Sequence, residues 1–475
     1  MSNGYLPSSA FEALQLPADS VSALTSAATN NGNSNSPPSS SSIVLPPAPS
    51  TTLTDLPSNS ACITLYAELL LNIRTVTLFA SLRSVHNCET KVQLSADGTS
   101  ITLSHEGESA SIRLPMSIQG GGDASLCLPA EPPSKELTLR LQLQEKESAK
   151  LLARSSTTEE RKWNWVPWGA GELNGKGAAR IVCRECGAEF VGSGKVKEWK
   201  DLPNENWAEM MDFWHCHKPS EHHHRHGHEE EGEIGKSKGY AAANQLRAVK
   251  GTGFVDLGAF LLRKEDCIRI KFLKFNFNTF QAVPFKLNQS DKLLCSTCTA
   301  EIGTVDDRAE GWRIYKWSLS VLFCVLDSTA PSPLPPTYSV QKWISAQFLS
   351  LIENLGVRKF SVHAEDSDDA SSSSLLLWIF TPDLSFSSSV PAIHGDPRTD
   401  PTRAMKVFWQ SISPTSDQRE SLEQQSFSVE EVVFPKHVFG KLQEALEDAR
   451  HLLPASARRF REWEVGLLER FDEEG

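Results

Sequence analysis

No run of 18 apolar residues occurs in this 475-residue chain, so no membrane-spanning helix is expected. The best candidate, Trp317 to Leu326, is too short and is interrupted by Ser318, Ser320 and Cys324. No basic segment followed by an apolar one opens the chain, and a secretory signal is not expected. Long Lys/Arg blocks are also missing. With 59 acidic against 47 basic side chains, the net charge is −12 and the pI about 5.6. That balance argues against displacing counterions from a phosphate backbone, so direct nucleic-acid binding is not expected. Ten cysteines are too few for a disulfide scaffold. In the reducing compartment this suggests, paired cysteines more often hold a metal. No cysteine follows Cys324, so the last 151 residues carry no thiol nucleophile.

What is there suffices for a core. Hydrophobic residues make up 39% of the chain. At roughly 100–200 residues per domain, two or three domains are expected. Residues 1–59 are rich in Ser, Asn and Pro and read as a disordered tail, since they bury too little to offset ordering entropy. Residues 60–150 read as a β-rich domain. Its alternating segments, such as Lys91 to Leu94 and Thr99 to Ser104, are separated by the turn signals Asp97-Gly98 and Glu106-Gly107. Residues 151–220 form a Cys/Trp-rich segment. Residues 221–250, with the tract His222-His223-His224, read as a disordered His/Glu-rich loop. Residues 251–475 read as a mixed α/β domain. Val340, Trp343, Ile344, Phe348, Leu351 and Ile352 fall at helical spacing before Gly356, a C-cap candidate. Pro435 to Leu453 and Ser456 to Phe471 are predicted to close the chain as two helices. The fold class is therefore α+β, and no internal repeat is visible.

Two Cys-x-x-Cys pairs carry the clearest chemistry: Cys183 with Cys186, and Cys295 with Cys298. Each spacing lets two thiolates converge on one ion while backbone amides point at the sulfurs, and two such turns make a tetrahedral zinc site. Since 108 residues separate Cys186 from Cys295, the site would join distant parts of the chain. Alternatively, Cys183 and Cys186 would close a site with Cys216 and His217, or the cysteines would hold no metal. Cys267 and Cys324 lie in apolar runs and read as core thiols.

Six of the twelve tryptophans lie between Trp163 and Trp214. Such density suits a core strut or a binding anchor. After Leu202 and Pro203, Asn204 caps a predicted helix through Glu205 and Asn206 whose face carries Trp207, Met210, Met211 and Trp214. Cys216 and His217 follow at its end, facing either an internal metal or one belonging to a partner.

Cys183-x-x-Cys186, the element from Leu202 to Trp207, Trp214 to His217 and Cys295-x-x-Cys298 together resemble the HECT-like ubiquitin-conjugating-enzyme (E2)-binding family. Ala404 to Val407 and Trp463 to Arg470 are similar to its C-terminal signatures. The family comprises the D-type E3 ubiquitin-protein ligase and its fungal relatives. The resemblance implies E2 binding, ubiquitin ligation onto cyclin-like substrates, and a cytoplasmic and nuclear location. It also implies restraint of the metallo-β-lactamase endonuclease of pre-mRNA 3′-end processing, through a segment like Cys183 to His217. Leu202, Pro203, Glu205, Asn206, Trp207, Trp214, Cys216 and His217 are the partner-binding candidates. Three readings stay open: a ligase, a non-enzymatic inhibitor or assembly chaperone of that nuclease, and a zinc-stabilised scaffold.

Overall fold

Strand Ile63–Leu70 shows how alternation builds this protein. Ile63, Leu65, Ala67 and Leu69 face one side and pack against a four-stranded sheet; Tyr66 and Glu68 face the other. The computed structural model describes residues 63–70, 75–118, 125–126, 133–142, 164–202, 246–273, 291–323, 337–365, 374–391, 398–412 and 429–472. The expected tail of residues 1–59 and the His-rich tract lie outside them.

A nine-stranded sheet forms the backbone of the molecule. Its order runs Arg459–Phe460, Trp463–Glu469, Thr402–Ile412, Ser374–Ser388, Ile63–Leu70, Thr75–Leu82 and Glu136–Gln142. Lys359–Ala364 also pairs Ser374–Ser388 and continues in parallel to Val429–Phe434. Strands from residues 63–142 and from residues 359–469 thus share one sheet. The four-stranded sheet packed on it has Glu108–Arg113, Ser100–His105, Lys91–Leu94 and Ser125–Leu126. Its hairpin turn places Glu106 at φ 49° and Gly107 at φ 81°, as the turn signal foretold.

A seven-stranded sheet holds Glu198–Asp201, Thr252–Val255, Ala259–Leu262, Gly311–Tyr315, Glu301–Asp306, Lys292–Cys295 and Ile270–Leu273. Beside it, a three-stranded sheet holds Leu319–Phe323, Ala179–Cys183 and Glu189–Val191. The two share one core with Trp168, Trp199, Phe260, Trp312 and Trp343.

The fold is β-rich. Helix Val340–Leu355 ends where its sequence says: Gly356 adopts φ 70°, and its N–H donates to the Ile352 carbonyl at 2.9 Å. Helix Lys436–Leu452 buries Val438, Phe439, Leu442, Leu446 and Ala449. Both helices pack on one face of the large sheet. The second closing helix is corrected. Ser456 to Phe471 contains a 3-10 turn, Ala455–Ala457, and the strands Arg459–Phe460 and Trp463–Glu469. Phe460, Trp463, Leu467, Leu468 and Phe471 recur at helical spacing, but Val465, Gly466, Leu467 and Leu468 are all buried. A strand covered on both faces shows such a run, and periodicity alone does not separate the two. Gly466 fits this close packing: a Cβ there would stand 2.7 Å from Leu446 Cδ2. No helix among the described residues is long and apolar enough to cross a membrane.

Candidate metal centre

Cys183 ends strand Ala179–Cys183, and Cys295 ends strand Lys292–Cys295; both are buried. After each, the chain turns back tightly. Cys183 N–H donates to the Ala188 carbonyl at 2.7 Å and Gly187 N–H to the Cys183 carbonyl at 2.9 Å. The second turn repeats this: Cys295 N–H to Ala300 at 2.9 Å, and Thr299 N–H to Cys295 at 3.0 Å. The residue after the second cysteine is left-handed in both, Gly187 at φ 70° and Thr299 at φ 62°. Glycine adopts that conformation freely; a β-branched threonine there is strained.

The resemblance between the hairpins extends to charge. Arg180 pairs with Glu189, and Lys292 with Glu301 at 3.4 Å. Each hairpin reads basic residue, x, x, Cys, x, x, Cys, x, Ala, Glu, apolar: Arg180 to Phe190, and Lys292 to Ile302. This short repeat, 112 residues apart, is the signal missed when no internal repeat was expected.

The two turns meet. Cys183 Sγ lies 3.7 Å from Cys298 Sγ, and Cys186 Sγ lies 3.7 Å from Cys295 Sγ. All four sulfurs fall within 4.8 Å of one another, a grouping able to hold a metal ion. Around a tetrahedral ion with metal–sulfur bonds of about 2.3 Å, neighbouring sulfurs stand roughly 3.8 Å apart, so donor set and spacing fit such a site. Burial pushes the Cys183 thiol up. Burial also opposes ionisation of Cys295. The amides of Cys298 and Thr297 outweigh it, together with the Cys186 sulfur, and bring Cys295 down to about 7. A bound cation would favour all four thiolates further.

Of the partner-binding candidates, Leu202 is described. Its N–H donates to the Val255 carbonyl at 2.7 Å, and its half-buried side chain packs beside Ala248, Leu261 and Ala309. Pro203, Glu205, Asn206, Trp207, Trp214, Cys216 and His217 lie outside the described residues. Trp168 and Trp199 are struts. The Trp199 ring covers Gly253, where a Cβ would come within 2.4 Å, and stands 5.1 Å from Phe260. Trp168 meets Tyr338 at 5.4 Å and Trp343 at 5.7 Å. Cys267 is a core thiol, pushed up to about 12 by burial and then by Asp266 and Glu265. Cys88 is exposed.

Two known proteins are similar to this sequence over about two thirds of its length. An uncharacterized protein of Schizosaccharomyces pombe is 27% identical over 314 residues, covering 64% of this chain and 78% of its own. An uncharacterized protein of Saccharomyces cerevisiae is 24% identical over 299 residues, covering 63% and 71%. No solved structure matches. The family described as HECT-like Ubiquitin-conjugating enzyme (E2)-binding matches residues 68–465.

Proposed function

Because the chain belongs to the HECT-like ubiquitin-conjugating enzyme (E2)-binding family, we propose that it binds an E2 and promotes ubiquitin transfer as a scaffold. The family match over residues 68–465 carries this reading, since it spans most of the large sheet and both Cys-x-x-Cys hairpins. Zinc at Cys183, Cys186, Cys295 and Cys298 serves a structural role in it: the ion pins two hairpins together and its four thiolates leave no open position for a substrate.

Scaffolding rather than a HECT-type relay in the C-terminal part fits where the thiols are. A ubiquitin thioester needs an accessible, reactive thiolate. The chain after Cys324 has no cysteine, Cys267 is half-buried with its thiol pushed up, and four more are metal ligands in this reading, so among the described residues the exposed Cys88 is the thiol left for a relay. The full chain is expected to speed discharge of a ubiquitin-charged E2 onto free lysine while carrying no ubiquitin adduct of its own that reductant removes. A reducible adduct on the protein would establish relay instead. Failure to bind any of a panel of E2 enzymes would remove the proposal altogether. Cyclin-like substrates and residence in cytoplasm and nucleus belong to the same proposal.

A second reading, restraint of the 3′-end processing endonuclease, is favoured by one observation. Four thiolates complete a tetrahedral site without Cys216 or His217, which leaves both for a partner's metal. A thiolate in the open position of a catalytic zinc would displace its water. Cys216→Ala is then expected to retain its zinc and melting temperature but to lose inhibition of the nuclease. Loss of zinc with unchanged inhibition would place Cys216 inside the protein's own site.

A further inference from the structure

In the four-stranded sheet, one buried histidine has both ring nitrogens on hydroxyls. His105 ends strand Ser100–His105 and is 4% exposed. Its Nε2 stands 2.8 Å from Ser84 Oγ, and its Nδ1 stands 2.8 Å from Thr90 Oγ1. Thr90 is itself buried and fixed. Its hydroxyl accepts from the Asn87 N–H at 3.0 Å and donates to Asn87 Oδ1 at 3.3 Å. That donation uses the single Thr90 hydroxyl proton, so Nδ1 carries the ring hydrogen and donates to Thr90, and Nε2 accepts from Ser84. A hydroxyl on one ring nitrogen, with the other nitrogen held by a third group, is the arrangement of a nucleophile and its general base. Glu106 Oε1, 3.9 Å from Nε2, favours the imidazolium that forms when the proton moves.

Ser84 lies in the loop 83–90, and the chain is clamped on either side of it. Leu82 N–H donates to the Lys135 carbonyl at 2.8 Å, and His86 N–H to the Ser134 carbonyl at 3.0 Å. Of the two hydroxyls on the ring, that of Thr90 belongs to a buried residue and that of Ser84 to a half-buried one. The basic nitrogen therefore serves the hydroxyl that an incoming group can reach. Val85 beside it is 47% exposed, an apolar contact for such a group. Among the described residues, the N–H groups of Ser84 and Val85 meet no acceptor, which leaves them for an oxyanion.

We propose that Ser84 accepts an acyl group from a thioester, the ubiquitin C-terminal thioester of a charged E2, with His105 as its general base. This step rests on the E2 binding proposed above and adds a covalent intermediate to it. Nε2 takes the Ser84 proton as Oγ attacks the thioester carbonyl. The carbon–sulfur bond breaks, an oxyester forms, and the proton passes to the departing E2 thiolate. Attack of a lysine amine on the oxyester then forms the amide and returns the Ser84 hydroxyl. Reductant does not cleave an oxyester, so the step agrees with the absence of a reducible adduct.

The test incubates the full chain with ubiquitin-charged E2, treats it with reductant, and measures E2 binding on the same proteins. An adduct of one ubiquitin that survives reductant, is removed by mild hydroxide and maps to Ser84 is expected. Ser84→Ala should abolish it, and His105→Gln should slow its formation by about a hundredfold, both with E2 binding and melting temperature retained. Ser84→Cys, which keeps the side chain's shape, should turn the adduct into one that reductant removes, a change that a merely structural serine would not produce. E2 binding with no hydroxide-labile adduct on the parent overturns the acceptor role and leaves E2 binding standing. So does an adduct that persists unchanged in Ser84→Ala and Ser84→Cys. Failure of every E2 to bind removes both readings.

Discussion

Stripping the metal from the four-cysteine site is expected to lower the melting temperature by roughly 10–20 °C, and Cys295→Ser is expected to do the same. The hairpins that meet there belong to different sheets, three-stranded and seven-stranded, and start 112 residues apart in the chain. Cys183 and Cys295 are buried at the ends of their strands, so an ion held there would tie the two sheets from inside their common core. Without it, sulfurs 3.7 Å apart face one another with no counter-charge. Binding energy at such a site is folding energy, about 10–16 kcal/mol in isolated zinc-finger peptides. Here the packed core around Trp168, Phe260 and Trp343 already holds much of the geometry, so a loss of about 5 kcal/mol is the reasonable fraction. At roughly 2–4 °C per kcal/mol for a domain of this order, the shift stated above follows. Elemental analysis of freshly purified, reduced protein should return close to one zinc per chain, and Cys295→Ser should return less. A metal-free, reduced sample that melts where the purified protein does would end the structural-zinc account.

The four-cysteine cluster was legible in part because its information is local: two Cys-x-x-Cys spacings name all four residues, although not that they meet. Helix Val340–Leu355 was legible for the same reason, its apolar spacing and terminal Gly356 lying within one segment. Sheet membership was not. Tyr66 stands opposite Ser388, and Ala404 opposite Glu469, pairings that no local pattern encodes. The strand Trp463–Glu469 was misread because burial on both faces erases its alternation. The contact of Ser84 with His105 was invisible too: the two become neighbours through the loop 83–90 and the pairing of Lys91–Leu94 with Ser100–His105. The hairpin repeat was in plain sight. Its cue extends beyond the cysteines, to the basic residue before them and the Ala-Glu after them.

Lys316 makes the second large prediction. It sits in the 3-10 turn Lys316–Ser318, 1% exposed, with Nζ 3.5 Å from the Pro167 carbonyl. Its ammonium lies 5.2 Å from the Phe260 ring and 5.7 Å from the Trp343 ring. Burial drives its pKa down to about 7, and the charges of Asp256, Asp201 and Glu172 oppose but do not cancel that effect. In the unfolded chain the amine titrates near 10.4. Between about 7 and 10.4 the unfolded chain holds a proton that the folded chain has released, so this residue makes stability rise with pH across that window. Below about 7 the amine is charged in both states, and the folded protein bears the whole desolvation cost, on the order of 5 kcal/mol at 1.36 kcal/mol per unit. Lys316→Met keeps an unbranched side chain of similar length without the charge. The variant should therefore be more stable than the parent by several kcal/mol near pH 6.5, with the gap closing towards pH 10. Denaturant unfolding across that range, with zinc held in excess, measures it. Parallel stability curves for parent and variant would mean that the rings and the Pro167 carbonyl compensate the charge fully and that Lys316 carries no pH dependence.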